Sequence, residues 1–220
     1  MNDLTIIIPA KNESESIEAT INEIEKFGYN YIIVVSKGDI NTVSAINNKQ
    51  NIVYQKNRGF GDAIISGINE VRTQYFAIMF ADGSTDPAEL IFIYRHLINT
   101  NSDFVFGSRY LKNASSDDDT IVTFIGNKIF TLLGQIFFKL KISDILYTYI
   151  VGKSKSAKDL NLNTNDFGIC VEFPIIASKK GFNIVDYPCN ERKRISGKKN
   201  VNAFVDGFKI LIKMMKLYFY

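Results

Sequence analysis

The stretch Phe80-Ala81-Asp82-Gly83-Ser84-Thr85-Asp86-Pro87 sets two carboxylates and two hydroxyls within five residues, directly after an apolar run. Oxygen ligands in such a turn suit a hard divalent cation, Mg²⁺ or Mn²⁺, of the kind that offsets the charge of a pyrophosphate. Asp82 and Asp86 are the candidate metal ligands; the alternative roles are that Asp82 ends a strand and Asp86 caps a helix. A second polar turn, Pro9-Ala10-Lys11-Asn12-Glu13, offers Asn12 and Glu13 either to a base or ribose or to a helix start. A third, Gly107-Ser108-Arg109-Tyr110, provides an arginine within reach of a phosphate. His96, the only histidine, has no metal-ligating companions and reads as a surface or packing residue.

Each of these turns follows a strand-length apolar run, and the runs alternate with longer segments of helical period. That is the pattern of an α/β domain with a mainly parallel sheet, in which ligands bind beyond the carboxyl ends of the strands. Strands are expected at 4–9, 31–35, 51–54, 75–80 and 103–107. Crossover helices are expected over 14–27, 59–72 and 85–99, with Asp86-Pro87 as a helix start. Asn113 to Thr120, with its Asp117-Asp118-Asp119 run, reads as a solvated loop, with metal or substrate contact as the other role of its acids. Phe124 to Leu140 is apolar over most of its circumference and reads as a helix that packs beneath the sheet, the favoured expectation, or offers a face to a membrane or an apolar acceptor. Val201 to Tyr220 carries Phe204, Phe208, Leu211, Met215 and Tyr218 on one stripe and Lys209, Lys213 and Lys216 on another. It is a basic amphipathic helix, docked on its own domain or lying in a membrane interface.

At 220 residues and 46% hydrophobic content the chain has material for one full core. Only Cys170 and Cys189 are present, and the first apolar run is too short and too β-branched for a signal helix, which points to a reducing, cytosolic compartment. The net charge of +3 is unevenly spread: residues 187–220 hold eight Lys/Arg against two acids. No nucleic-acid-binding motif accompanies that patch, so a pyrophosphate or an anionic lipid surface is the expected partner and nucleic acid is not.

Taken together, IIIPAKNES at the start, NRGFGDAIISGI at 57–68, FADGSTDP at 80–87, FGSRY at 106–110 and YPCNERKRISGKK at 187–199 resemble family 2 glycosyltransferases, particularly the polyprenyl-phosphate mannose or glucose synthase branch. The resemblance implies a GT-A fold, a Rossmann-like three-layer sandwich, here ending in the basic amphipathic helix. It divides residues 1–220 into a nucleotide-binding half (1–110), an acceptor half (111–200) and the terminal helix (201–220). It implies a UDP- or GDP-linked sugar donor, a divalent cation, inversion at the anomeric carbon, and a polyprenyl-phosphate or glycan acceptor met at the cytoplasmic face of a membrane. By motif position, Pro9, Ala10, Asn12, Glu13, Asn57 and Gly61 would lie at the nucleotide, and Asp82 would be the second acid of the Asp-x-Asp metal motif. Arg192, Arg194 and Lys198 would join Arg109 in gripping the pyrophosphate or the acceptor phosphate. This chain has Phe80 where the first acid of that motif stands, leaving Asp86 to compensate. It has Ser36-Lys37-Gly38-Asp39 where the family has Asp-Asp-Gly-Ser.

A phosphate acceptor needs no general base, whereas a hydroxyl acceptor does; Asp166 and Glu172 are the candidates, Glu172 with a structural ion pair as its other role. The missing acids also motivate an alternative, a catalytically degenerate GT-A protein acting as a binding or assembly partner. A nucleotidyltransferase would open with a glycine-rich phosphate loop, and Pro9 to Ser14 contains no glycine.

Overall fold

The computed structural model describes residues 2–197 and 202–219. Strand β1 (Leu4–Ala10) sets the architecture, because alternate side chains leave opposite faces of a strand. Ile6 and Ile8 enter one apolar layer and Ile7 the other. The first layer is closed by α1 (Ile17–Lys26), then, after β2 (Asn30–Val35), by α2 (Ile40–Ala45). A 3-10 turn and β3 (Ile52–Tyr54) lead to α3 (Phe60–Glu70), whose Ile64 and Ile68 cover the second face. Next come β4 (Tyr75–Ile78), α4 (Leu90–Asn99) against the first layer, β5 (Phe104–Ser108) and the short β6 (Ser115–Ser116). The second half of the chain supplies α5 (Ile121–Phe138), β7 (Ile150–Lys153), α6 (Ser154–Asp159), α7 (Ile169–Lys179), β8 (Ile184–Pro188), β9 (Asn190–Glu191) and α8 (Ala203–Phe219).

The result is a helix–sheet–helix sandwich on a seven-stranded sheet of order β3-β2-β1-β4-β7-β5-β8. All neighbours are parallel except β7, which runs antiparallel to both β4 and β5. Inserting β7 separates β4 from β5, and the turns that follow these two strands therefore flank a gap at one end of the sheet. This α/β sandwich is the expected fold.

Two elements differ from expectation. Helix α4 starts at Leu90 rather than at Pro87, because the Asp86 carboxylate accepts the Ala88 amide (2.8 Å) and closes a turn that precedes the helix. Helix α5 is not packed beneath the sheet. It starts on a Thr120/Thr123 capping box and buries Asn127, Thr131 and Gly134, a stripe of small and polar residues. Ile121, Val122, Phe124, Ile125, Ile129, Leu132, Ile136 and Phe137 are all exposed. The inward stripe is polar because it has partners there: Asn127 reaches the Asp144 carboxylate, and the Thr131 hydroxyl accepts the Ile145 amide (3.2 Å).

Candidate active site

A cavity of about 440 Å³ opens at the carboxyl ends of β1 and β4. Pro9, Ala10 and Glu13 form one wall, and Phe80, Ala81 and Asp82 the floor. Gly59, Phe60 and Asp166 close a second wall. Arg109 and Arg194 line it as well, together with Thr123 and Asn127 of α5 and Asp206 and Lys209 of α8.

The glycine-rich turn before α3 lies against the 164–166 segment. Gly59 has φ +120°, and a Cβ on it would meet the Asn165 carbonyl oxygen at 2.1 Å; one on Gly61 would meet that of Thr164 at 2.0 Å. Only glycine allows this approach, which the Asp62 amide secures by donating to the Asn165 carbonyl (3.2 Å). Asn57 does not line the cavity. Its amide and carboxamide donate to the buried Asp62 carboxylate (2.8 and 2.9 Å), so it shapes the turn, as does Gly61. Asn12 is likewise a shaping residue. It sits at φ 59° and donates its amide to Asp39 (2.7 Å), whose other oxygen caps α2.

The basic segment after β9 is laid along the turn after β4 by its backbone. The Arg192 amide donates to the Ser84 carbonyl (2.8 Å) and the Ile195 amide to that of Asp82 (2.8 Å), and Thr85 bridges to Glu191. Arg194 is thereby held over Asp82. Its guanidinium lies 3.3 Å from the Asp82 carboxylate and 2.9 Å from that of Asp118. Burial opposes the guanidinium charge, but the Asp118 hydrogen bond and the charges of Asp82, Asp118 and Glu13 outweigh it, and the pKa of Arg194 lies above its ordinary value. Desolvation, with the Asp82 charge adding to it, raises the pKa of Glu13.

The remaining expected residues divide in the same way. Arg192 lies outside the cavity, committed to Glu23 (2.7 Å) and to the carbonyls of Gly83 and Thr85; it fastens the loop rather than facing a phosphate. Arg109 touches the cavity, yet its guanidinium is bound to Asp144 through two nitrogens (2.7 and 3.0 Å) and to Glu191 (3.1 Å), both of these acids being buried. Glu172 lies outside the cavity with 3% of its side chain exposed. It accepts the Asn163 and Thr164 amides and pairs with Lys213 of α8 (2.7 Å), the geometry of a brace rather than of a base. Asp166 does line the cavity, with one oxygen on the Gly168 amide (2.9 Å). Lys198 falls outside the described residues.

Sequence reasoning favoured a solvated loop for the Asp117–Asp119 run over a place in the site. Asp118 holds Arg194, while Asp119 accepts the Tyr110 hydroxyl (2.5 Å), and both line the cavity. Lys209 was legible only as part of a basic stripe. Tyr147, also at the wall, keeps a buried hydroxyl with no hydrogen-bond partner among the described residues.

The profile of glycosyl transferase family 2 matches residues 5–160, which contain β1, the glycine-rich turn and Asp82. The chain belongs to this family. It is a glycosyltransferase, and comparisons along its whole length agree. The UDP-N-acetylglucosamine–dolichyl-phosphate N-acetylglucosaminyltransferase of Methanococcus voltae is 25% identical over 247 residues, covering 96% of this chain and 94% of that one. The dolichol-phosphate mannosyltransferase of Pyrococcus furiosus is 26% identical over 213 residues, 91% of this chain and 59% of that one. Among solved structures, glucosyl-3-phosphoglycerate synthase from Mycobacterium tuberculosis, crystallised with Mn²⁺, UDP and its product, superposes with a TM-score of 0.79. It is 12% identical and covers 99% of this chain and 80% of its own, a likeness of fold.

The donors of this glycosyltransferase do not fit a divalent cation as they stand. Among the described residues no group of three or more His, Cys, Asp or Glu side chains is placed to hold a metal ion. Phe80 offers a ring, edge-on to Tyr147 at 5.6 Å, where a first carboxylate would stand. Asp86 does not compensate, being outside the cavity and turned to the Ala88 amide. Asp82 itself has one oxygen on the Ser84 amide (3.0 Å) and the other on Arg194. A cation bound there would face the guanidinium, and like unit charges 4 Å apart repel by about 4 kcal/mol at an effective dielectric of 20, twice that for a dication.

Proposed function

We propose that this glycosyltransferase moves a sugar from a nucleoside diphosphate to a polyprenyl phosphate at a membrane surface, with inversion at the anomeric carbon. The observation that carries the reading is that one cavity is lined together by the β1 turn, by Asp82 and Arg194, and by Thr123 of α5 and Lys209 of α8. A nucleoside fits the Pro9–Glu13 end, a diphosphate the charged centre, and a lipid phosphate the Lys209 end. These two helices turn apolar faces outward. Phe204 is 83% exposed and Ile121 79%, with Phe208, Leu211, Met215 and Phe219 also uncovered. Helix α5 is long and apolar enough to cross a membrane, though only 17% of it is buried in the protein. Exposed apolar area of this extent next to lysines suits the interface of an anionic bilayer, where a polyprenyl chain would also lie.

In the transfer, an oxygen of the acceptor phosphate forms a bond to the anomeric carbon from the face opposite the leaving group. The bond from that carbon to the β-phosphate oxygen breaks, and its electron pair leaves with the nucleoside diphosphate. No proton needs to be removed from such an acceptor. A glycan hydroxyl would need a base, and Asp166 is the carboxylate at the cavity wall that would serve. The dolichyl-phosphate substrates of the Methanococcus and Pyrococcus relatives support the lipid acceptor, and the two free buried cysteines accord with a cytoplasmic protein.

The test is a transfer screen of UDP- and GDP-linked sugars against polyprenyl phosphate in anionic vesicles and against soluble glycans. Product on the lipid, undiminished by Asp166→Asn, is the expected result. Transfer only to glycans, lost in that variant, would reassign the acceptor, and failure to bind any nucleotide sugar would favour a degenerate binding protein.

A further inference from the structure

Resting on that reading, we propose that Arg194 is the built-in cation of this site, and that the nucleoside diphosphate is bound and released without a divalent metal ion. Three observations converge. The position that would give a metal its first carboxylate holds Phe80, and that ring is packed into the wall against Tyr147. The remaining acid, Asp82, is engaged by a guanidinium rather than left open. That guanidinium is delivered by main-chain hydrogen bonds from Arg192 and Ile195 to the very turn that carries Asp82, so its position does not depend on the ion pair alone.

The surroundings of Arg194 hold it in place yet leave it ready for a ligand. Glu13, Asp82 and Asp118 all act electrostatically on it. The carboxylates of Asp82 and Asp118 keep 13% of their side chains exposed and Arg194 keeps 18%, so they can rehydrate when the guanidinium turns. An arginine fork matches two phosphate oxygens as well as it matches two carboxylates. As the bond from the anomeric carbon to the β-phosphate oxygen breaks, the guanidinium swings from Asp118 to meet the charge that collects on that oxygen. Asp82 remains beneath as its anchor.

Calorimetric titration with UDP and with GDP, in EDTA and in Mn²⁺, tests this. The expected result is that whichever nucleotide binds does so with the same affinity, to within about twofold, in the two buffers. Arg194→Ala should weaken it roughly ten- to hundredfold in both, and Arg194→Lys should recover part of the loss by restoring charge without the fork. Asp82→Asn should cause a smaller loss, equal in both buffers, and thermal melts confirm that the variants fold. Binding that appears only with Mn²⁺, and whose metal dependence disappears in Asp82→Asn, would overturn the proposal while leaving the glycosyl transfer reading intact. Absence of UDP and GDP binding in both buffers would remove that reading and this proposal together.

Discussion

Whether Glu172 is a brace or a base can be decided by removing its partner. Its carboxylate, 3% exposed, pairs with Lys213 at 2.7 Å; the lysine keeps 19% of its side chain in solvent. Breaking a buried ion pair from one side costs about 3–5 kcal/mol, because the surviving charge is stranded. In Lys213→Met the surviving carboxylate still accepts the Asn163 and Thr164 amides (3.2 and 2.9 Å), so the lower end, about 3 kcal/mol, is expected. For a protein of this size that lowers the melting temperature by about 6–12 °C. Glu172→Gln costs less, about 1–2 kcal/mol, since Gln keeps an acceptor for the two amides and the stranded lysine reaches water. The double variant should recover much of the sum, with a coupling of about 1–3 kcal/mol in urea denaturation. Transfer activity of Glu172→Gln, measured well below its melting temperature, should stay within a few-fold of the parent, about 1 kcal/mol in barrier. If Lys213→Met were as stable as the parent while Glu172→Gln abolished transfer to a hydroxyl acceptor, the carboxylate would be the base and its pairing incidental.

Three further outcomes follow from the geometry. Gly61→Ala places a methyl group 2.0 Å from the Thr164 carbonyl oxygen and 2.8 Å from that of Asp166, and should cost about 1–3 kcal/mol or more in urea denaturation while raising KM for the donor. Desolvation raises the pKa of Glu13, so the folded state holds its proton more tightly than the unfolded chain and stability is lost as pH rises through the ordinary carboxylate value. Glu13→Gln should therefore melt higher than the parent at neutral pH, and the difference should close below that value. Burial pushes the Cys170 thiol up to about 12 and also raises Cys189, so native protein at pH 8 should resist iodoacetamide at both positions and label at both once unfolded in urea.

The first half of the chain was legible because two patterns alternate there. The apolar runs of β1 and β2, buried on both faces, alternate with the helical spacing of Ile17, Ile21 and Ile24 on α1 and of Ile64 and Ile68 on α3. The second half obeys other rules. Strand β7 is short, buried on both faces and antiparallel, and nothing in Ile150-Val151-Gly152-Lys153 announces its direction. Helix α5 has the composition of a core helix and the opposite orientation, because its polar stripe finds Asp144 and Ile145 inside. Asp82 and Arg194 were both expected at the site, and both line the cavity. Their 3.3 Å approach depends on the β9 segment pairing with a turn far away in sequence, and no local pattern records that. The acids of the 117–119 run looked like solvent-facing charge for the same reason: their partners, Arg194 and Tyr110, come from other parts of the chain.

The two arginines at the cavity do opposite work, and their partners decide which. Arg109 gives both of its strongest hydrogen-bonding edges away: Nε and one terminal nitrogen to Asp144, the other to Glu191, while its own amide also donates to Asp144. Asp144 has no exposed side-chain area, and Asn127 donates to it as well. Turning Arg109 toward a substrate phosphate would leave that carboxylate charged and without its guanidinium in a dry environment, a loss of about 3–5 kcal/mol that one phosphate contact does not offset. Arg109 is therefore part of the frame, joining β5, α5 and β9 around the cavity. Arg194 faces the same cavity with partners that touch water, on a turn and a loop rather than at the ends of buried elements. Exchanging one of them for a phosphate leaves a carboxylate that water can solvate. A phosphate entering this site is met by the arginine whose release costs least, which is the one poised over Asp82.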